Sequence, residues 1–175
     1  MEAALISGSP SAASKSRTLL ERAHQRLVHE GLGTTLVDLG SLQADALLGR
    51  RTDAGVKAAL DAVHSARILV ASSPVYRATY SGLLKVFFDL LPQDGLAGKI
   101  AVPILTGGGP AHLLALDHGF RPLFASVGAN VVANGVYGYD AQFKNGADPA
   151  LLEQVDRAIE EAVTLARASA DAEVK

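Results

Sequence analysis

Ile68-Leu69-Val70-Ala71-Ser72-Ser73-Pro74-Val75-Tyr76-Arg77-Ala78-Thr79-Tyr80-Ser81-Gly82-Leu83-Leu84-Lys85 passes from a continuously apolar run, through a polar loop with one proline, into an amphipathic pattern. The apolar run reads as a strand buried on both faces, the form strands take in a parallel sheet covered by helices. Beyond it, Tyr80, Leu83, Leu84, Phe87, Phe88 and Leu91 share one face, with Lys85 and Asp89 four apart on the other, which predicts a helix near 80–91. A strand thus delivers a loop to a helix start, and in an open α/β sheet ligands bind at the carboxyl ends of the strands. The loop suits a flat heteroaromatic ligand, since Pro74 fixes φ and Tyr76 offers a ring beside the guanidinium of Arg77.

The same strand-then-helix alternation extends in both directions. Periodicity predicts strands near 2–7, 34–39, 67–72, 99–105 and 130–136, separated by helices near 16–29, 53–65, 80–91, 110–127 and 149–169. Five βα units imply an α/β fold: a flavodoxin-like doubly wound five-stranded parallel sheet in the order 2-1-3-4-5, with helices on both faces. The topological switch point then lies between the first and third strands, so the loops after them share a ligand. Pro103 lies inside Ile100-Ala101-Val102-Pro103-Ile104-Leu105 and removes a donor from a central strand, which predicts a bulge or a shortened ladder there. Pro149 opens the last helix near its first turn, where a missing N–H costs nothing. Residues 1–170 read as one domain, and 171–175 as a tail that frays.

Composition narrows the classes. The chain has 175 residues, 49% of them hydrophobic, with mean hydropathy +0.21, enough for a full core and against disorder. A net charge of −2 without a basic block argues against nucleic acid as a partner. The absence of cysteine excludes disulfides, a thiolate nucleophile and cysteine metal sites. The apolar run Ala3 to Ile6 is too short for a signal-peptide core, and no apolar run reaches membrane-spanning length, so a cytoplasmic protein with no membrane partner is expected. No metal site is expected either: His112 and His118 are six apart and do not share a helix face, while His24, His29 and His64 lie in other elements.

Two further loops sit at predicted strand ends. Ser7-Gly8-Ser9-Pro10-Ser11-Ala12-Ala13-Ser14-Lys15-Ser16-Arg17-Thr18 runs directly into the first helix, whose exposed N–H groups and positive dipole end favour an anion such as a phosphate. It has neither the glycine-lysine-serine/threonine ending of a P-loop nor the spaced glycines of a dinucleotide fingerprint. Leu105-Thr106-Gly107-Gly108-Gly109-Pro110 offers backbone that a ligand can approach closely. Together the three loops suit a mononucleotide with a flat ring, the phosphate in the first loop and the ring against the other two. In Ala115-Leu116-Asp117-His118-Gly119-Phe120-Arg121-Pro122, Pro122 cannot donate to the carbonyl of His118 and Gly119 weakens regular helix, which predicts a local irregularity.

Gly8-Ser9-Pro10 with Ser14-x-Ser16, Ser73-Pro74-Val75-Tyr76 with Tyr80-Ser81-Gly82-x-x-Lys85, and Thr106-Gly107-Gly108 with Ala111-His112-Leu113-Leu114-Ala115 resemble the NADPH-dependent FMN reductases of the flavodoxin-like superfamily, specifically the alkanesulfonate-utilisation type. The resemblance runs from about residue 3 to residue 143, and members of that family also carry a proline in the fourth strand. It implies hydride transfer from NADPH to FMN and delivery of reduced flavin to a partner monooxygenase, with no general acid or base supplied by the protein. It further implies that Ser9, Ser14, Ser16 and Arg17 hold the phosphate, and that Pro74, Val75, Tyr76 and Arg77 with Thr106, Gly107 and Gly108 hold the ring. Lys15 and Arg17 are candidates for the 2′-phosphate of NADPH. The family has a one-residue π-bulge at a tetramer interface, usually carrying tyrosine; His118 stands in that place here, which implies a gating or interface role and a homodimer or homotetramer. Two other readings stay open: a reductase of quinones or other small acceptors that retains FMN, and an FMN-binding electron carrier.

Overall fold

The computed structural model describes the backbone of residues 1–173 and the side chains of residues 1–170. Its strands are β1 (Glu2–Ser7), β2 (Gly33–Asp38), β3 (Ile68–Pro74), β4 (Ile100–Gly107), β5 (Asn130–Val131) and β6 (Val136–Tyr139). All pair in parallel, in the order β2-β1-β3-β4-β5 with β6 also against β4. The expected strand order is the observed one, with a sixth strand added.

Alternate residues of the strands feed two cores. One face of the sheet carries Ala3, Leu5, Ile68, Val70, Val102 and Ile104. It is covered by α1 (Lys15–His29), through Leu19, Leu20, Ala23 and Leu27, and by α6 (Pro149–Glu173), through Leu151, Val155, Ile159 and Ala162. The other face carries Ala4, Ile6, Leu69, Ala71 and Leu105 under α3 (Ala54–Ser65), α4 (Gly82–Phe88) and α5 (Arg121–Ser126). A short helix, α2 (Ala44–Leu47), precedes α3. On this side Phe120 and Phe124 stack at 5.1 Å, and Phe88 meets Phe124 edge-on at 5.4 Å. The end of the tail expected to fray lies outside the described residues.

Proline causes two departures from regularity near the carboxyl end of the sheet. The strand expected near 130–136 is divided into β5 and β6. Ile100 N–H donates to Arg67 O on the β3 side, and Ala101 O accepts from Val132 N–H on the other. Backbone direction alternates along a strand, so Pro103 turns its donorless nitrogen toward the second side, where the ladder stops after Val131 and resumes at Val136. Side chains satisfy the backbone in the gap. Arg121 donates to Val132 O at 2.7 Å and to Ala133 O at 2.6 Å, and Glu161 accepts from Ala133 N–H at 2.7 Å.

The helix expected over 110–127 is a 3-10 turn (Pro110–Leu113), a π-helical segment (Leu116–Phe120) and α5. Arg121 N–H reaches back five residues to Leu116 O, and Pro122 leaves the carbonyl of His118 without the usual donor. The irregularity expected around His118 and Gly119 is therefore a π-helix. The helix expected near 80–91 is shorter, Gly82–Phe88, with Ser81 as its N-cap accepting Leu84 N–H at 3.1 Å.

Candidate functional site

Hydrogen bonds fasten the first two loops to each other at their bases. Gly8 N–H donates to Ser72 O at 2.7 Å, and the Ser81 hydroxyl donates to Gly8 O. Ser73 Oγ accepts from Ser81 N–H at 2.8 Å and donates to Pro74 O, while Val75 N–H donates to Thr106 O at 2.7 Å. Each loop thus reaches the carboxyl end of the sheet in a fixed position relative to the next.

Between them lies a cleft of about 340 Å³, lined by Ser9, Ser11, Ala13, Ser14, Lys15, Pro74, Val75, Tyr76, Thr106, Gly107, Gly108 and Asp140. Its two ends differ in chemistry. At one end, Ser9 Oγ accepts from Ser11 N–H, which leaves the Ser9 hydroxyl proton free to donate, and Ser14 Oγ caps α1 by accepting Arg17 N–H at 3.2 Å. The start of a 15-residue helix adds N–H groups and a positive dipole end. The other end, formed by Pro74, Val75, Tyr76 and the glycine backbone, contributes no charged side chain. A larger cleft, about 480 Å³, lies elsewhere, lined by Ala46, Val56, Leu60 and Leu90 with Arg51, Asp53 and Lys57. No residue of a sheet strand lines it, whereas the smaller cleft gathers the ends of β3 and β4 and the loop after β1.

Of the residues singled out in the sequence, Ser9, Ser14, Pro74, Val75, Tyr76, Thr106, Gly107 and Gly108 line this cleft, and Ser16, Arg17, Arg77 and His118 do not. Ser16 is fully buried, 3.1 Å behind Ser14 Oγ. Arg17 turns its guanidinium to Asp38, at 3.0 Å, and Glu21, at 3.3 Å. Two residues along a helix rotate a side chain by about 200°, so Lys15 faces the cleft while Arg17 faces the end of β2. His118 is exposed on the π-helix.

Arg77 belongs to a tight turn. Tyr76 and Thr79 exchange both backbone hydrogen bonds, at 2.8 and 3.2 Å, and Arg77 and Ala78 between them take φ of 50° and 69°. Two consecutive left-handed residues are the signature of a type I′ turn, which ordinarily uses asparagine and glycine. The π-helix backs this turn: a Cβ on Gly119 would stand 2.3 Å from Thr79 Oγ1, and the rings of Tyr80 and Phe120 are 5.7 Å apart. Ala78→Gly is expected to relieve the strained φ and raise stability by about 0.5–1 kcal/mol, net of glycine's greater freedom when unfolded. Thermal unfolding checks this; an unchanged or lower midpoint shows that the strain at Ala78 does not exceed glycine's extra freedom in the unfolded chain.

The sequence reading did not anticipate Asp140 in the cleft, or Tyr137 beneath the glycine loop. Tyr137 donates from its hydroxyl to Gly109 O. Burial, and secondarily the charge of Asp140, raise its phenol above the usual value, which keeps the donor protonated. Gly107 accommodates this packing, since a Cβ there would stand 2.6 Å from Tyr137 Oη and 3.0 Å from His112 Nδ1. Asp140 follows β6 directly, and the register Gly107↔Tyr139 sets it beside the glycine loop. A single regular strand over 130–136 gives no sign of this placement.

The chain and its fold are similar to those of known proteins of one family. The family model described as NADPH-dependent FMN reductase matches residues 1–144. An FMN reductase (NADPH) of Pseudomonas putida is 40% identical over 152 residues, covering 85% of this chain and 77% of that protein. An NADH-dependent FMN reductase, SfnF, also of Pseudomonas putida, is 32% identical over 166 residues, covering 89% of this chain and 88% of that protein. Among solved structures, the apo form of an NADH:FMN oxidoreductase (EMOB) superposes with a TM-score of 0.86 at 37% identity, covering 95% of this chain and 89% of that one.

Proposed function

Because the chain belongs to the NADPH-dependent FMN reductase family, we propose that it binds FMN in the cleft at the ends of β1, β3 and β4, reduces it with NAD(P)H, and releases the reduced flavin to a separate flavin-dependent monooxygenase. The observation that carries this reading is the polarity of the cleft: hydroxyls, an ammonium and a helix start at one end, and an uncharged wall with bare glycine backbone at the other. That donor set fits a phosphate on one side and a flat ring on the other.

When bound, FMN accepts the hydride that NAD(P)H donates. The chain's own residues bind and orient. Ser9, Ser14 and Lys15, with the first turn of α1, receive the phosphate; the buried Ser16 acts through Ser14 by holding its hydroxyl in place. Pro74, Val75 and Tyr76 wall the ring and exclude water from it, while Gly107 and Gly108 allow close approach and offer backbone N–H groups to charge that develops on the ring. No side chain in the cleft is required as an acid or base. Release to a partner is supported by the half-exposed Tyr76 on the cleft wall and by kinship with proteins named as FMN reductases.

The test uses anaerobic protein, NADPH or NADH in turn, and FMN in large excess. Bleaching of the whole flavin pool by protein that emerges colourless from dialysis is the expected result. Yellow colour that survives dialysis favours a reductase that retains FMN, and absence of bleaching by either nucleotide favours an electron carrier. A homodimer or homotetramer is part of the same proposal, supported by exposed Leu113 and Leu114 on the segment that contains His118. His118→Ala is expected to shift the sedimentation profile toward smaller species; an unchanged profile removes His118 from any subunit contact.

A further inference from the structure

The anion end of the cleft contains a carboxylate that the proposed function does not call for. Among the residues lining it, the charged side chains are Lys15 and Asp140, and they are paired with each other: Lys15 Nζ lies 2.8 Å from Asp140 Oδ1. Lys15 is the first residue of α1, and its ammonium also lies 5.9 Å from the ring centre of Phe143. Asp140 reaches this position because of the interrupted edge of the sheet. Pro103 ends pairing to β5, β6 resumes it against the last residues of β4, and the chain leaves β6 at Asp140.

Resting on the reading of the cleft as an FMN site, we infer that Asp140 is a determinant of flavin exchange, holding Lys15 when the cleft is free and competing with the phosphate for it when FMN binds. Two effects act in the same direction. A phosphate arriving at Ser9 and Ser14 must draw Lys15 from Asp140, and it must tolerate the carboxylate's negative charge nearby. Both side chains are about half exposed, at 42% and 58%, so solvent screens each effect to roughly a two- to fivefold change in affinity, about tenfold together. An affinity loss of this kind is expressed mainly as faster release. The pair thus shifts FMN toward exchange by about tenfold in affinity, while leaving ring recognition to residues 74–76 and 106–108.

The test is a fluorescence titration of FMN and of riboflavin, which has the same ring and no phosphate, against wild type, Asp140→Asn and Asp140→Ser, with thermal unfolding as a check on folding. Asp140→Asn is expected to tighten FMN about tenfold, with slower release in stopped-flow, and to leave riboflavin within twofold of wild type. In a Lys15→Ala background, which itself weakens FMN, the gain from Asp140→Asn should fall to about half or less on a logarithmic scale. The gain should also diminish in high salt. If wild type binds FMN but both Asp140 variants bind it within twofold of wild type, the exchange role is wrong and the flavin site stands. If the variants tighten riboflavin as much as FMN, the effect is a reshaped cleft and the charge argument fails. If wild type binds neither flavin, the site itself is wrong.

Discussion

Gly108→Val is expected to leave the fold at wild-type stability and to weaken FMN binding by about 10- to 100-fold. A Cβ at residue 108 stands in open space, its near neighbour being His112 Cε1 at 4.0 Å, so the substitution meets no packed atom. The position nevertheless lines the cleft opposite Pro74, Val75 and Tyr76, and two added methyls occupy space that a ring needs. Overpacking of 1–3 kcal/mol, at 1.4 kcal/mol per tenfold, spans about 5- to 140-fold and brackets the stated range. Thermal unfolding and FMN fluorescence on the same sample separate the two effects. A variant that binds FMN as wild type does places the ring away from the glycine loop; one that unfolds shows that the loop's openness serves packing.

Gly8→Val is expected to do the reverse, costing about 3 kcal/mol or more of folding stability. A Cβ on Gly8 would stand 3.0 Å from Ser72 O and 3.0 Å from Leu84 Cβ, and Leu84 is fully buried. Ser72 O cannot retreat freely, because it accepts Gly8 N–H, and Gly8 O accepts the buried Ser81 hydroxyl that also caps α4. Valine therefore forces overlap in a packed interface and strains two hydrogen bonds whose groups have no access to water. Chemical denaturation reads the loss as a lower midpoint with an unchanged slope. A midpoint within experimental scatter of wild type contradicts the view that Gly8 fastens the first loop to the third strand and to α4.

The contrast between these two glycines marks how far the sequence could be read. Loop positions were legible because they depend on local signals: apolar runs ending in Ser7, Ser73 and Leu105, followed by glycine, proline or serine. Those signals gave the three loops that meet at one cleft; the strand order came from the flavodoxin-like pattern, and eight of the residues that line the cleft were named through the family resemblance. Side-chain direction was less accessible, since it depends on helix phase and on partners distant in sequence. Arg17 illustrates this: the family resemblance implied a phosphate ligand there, but Asp38 and Glu21 hold the guanidinium away from the cleft. Ser16, with the residue type expected of a phosphate ligand, is turned fully inward. Arg77 sits beside Tyr76 in sequence, but the left-handed turn carries it away from the cleft.

Proline gave a mixed lesson. Pro103 and Pro122 both announced irregularity, and both delivered it, as a divided edge strand and a π-helix. The consequence of the first was hidden, because periodicity fixes where a ladder weakens but not where pairing resumes. That four-residue gap is what brings Asp140 to Lys15. Arg121 links the two irregularities, anchored to Asp117 at 2.9 Å within the π-helix and to the carbonyls of Val132 and Ala133 in the gap.

FMN is expected in the cleft at the ends of β1, β3 and β4 and not in the larger, more apolar one beside α3. A crystal structure of the wild-type protein soaked with FMN decides between the two clefts. The expected result is the phosphate against Ser9, Ser14 and the first turn of α1, with Lys15 withdrawn from Asp140, and the ring between Tyr76 and the Gly107–Gly108 backbone. Flavin seated between Ala46, Leu60 and Leu90, or with its phosphate directed away from α1, contradicts it.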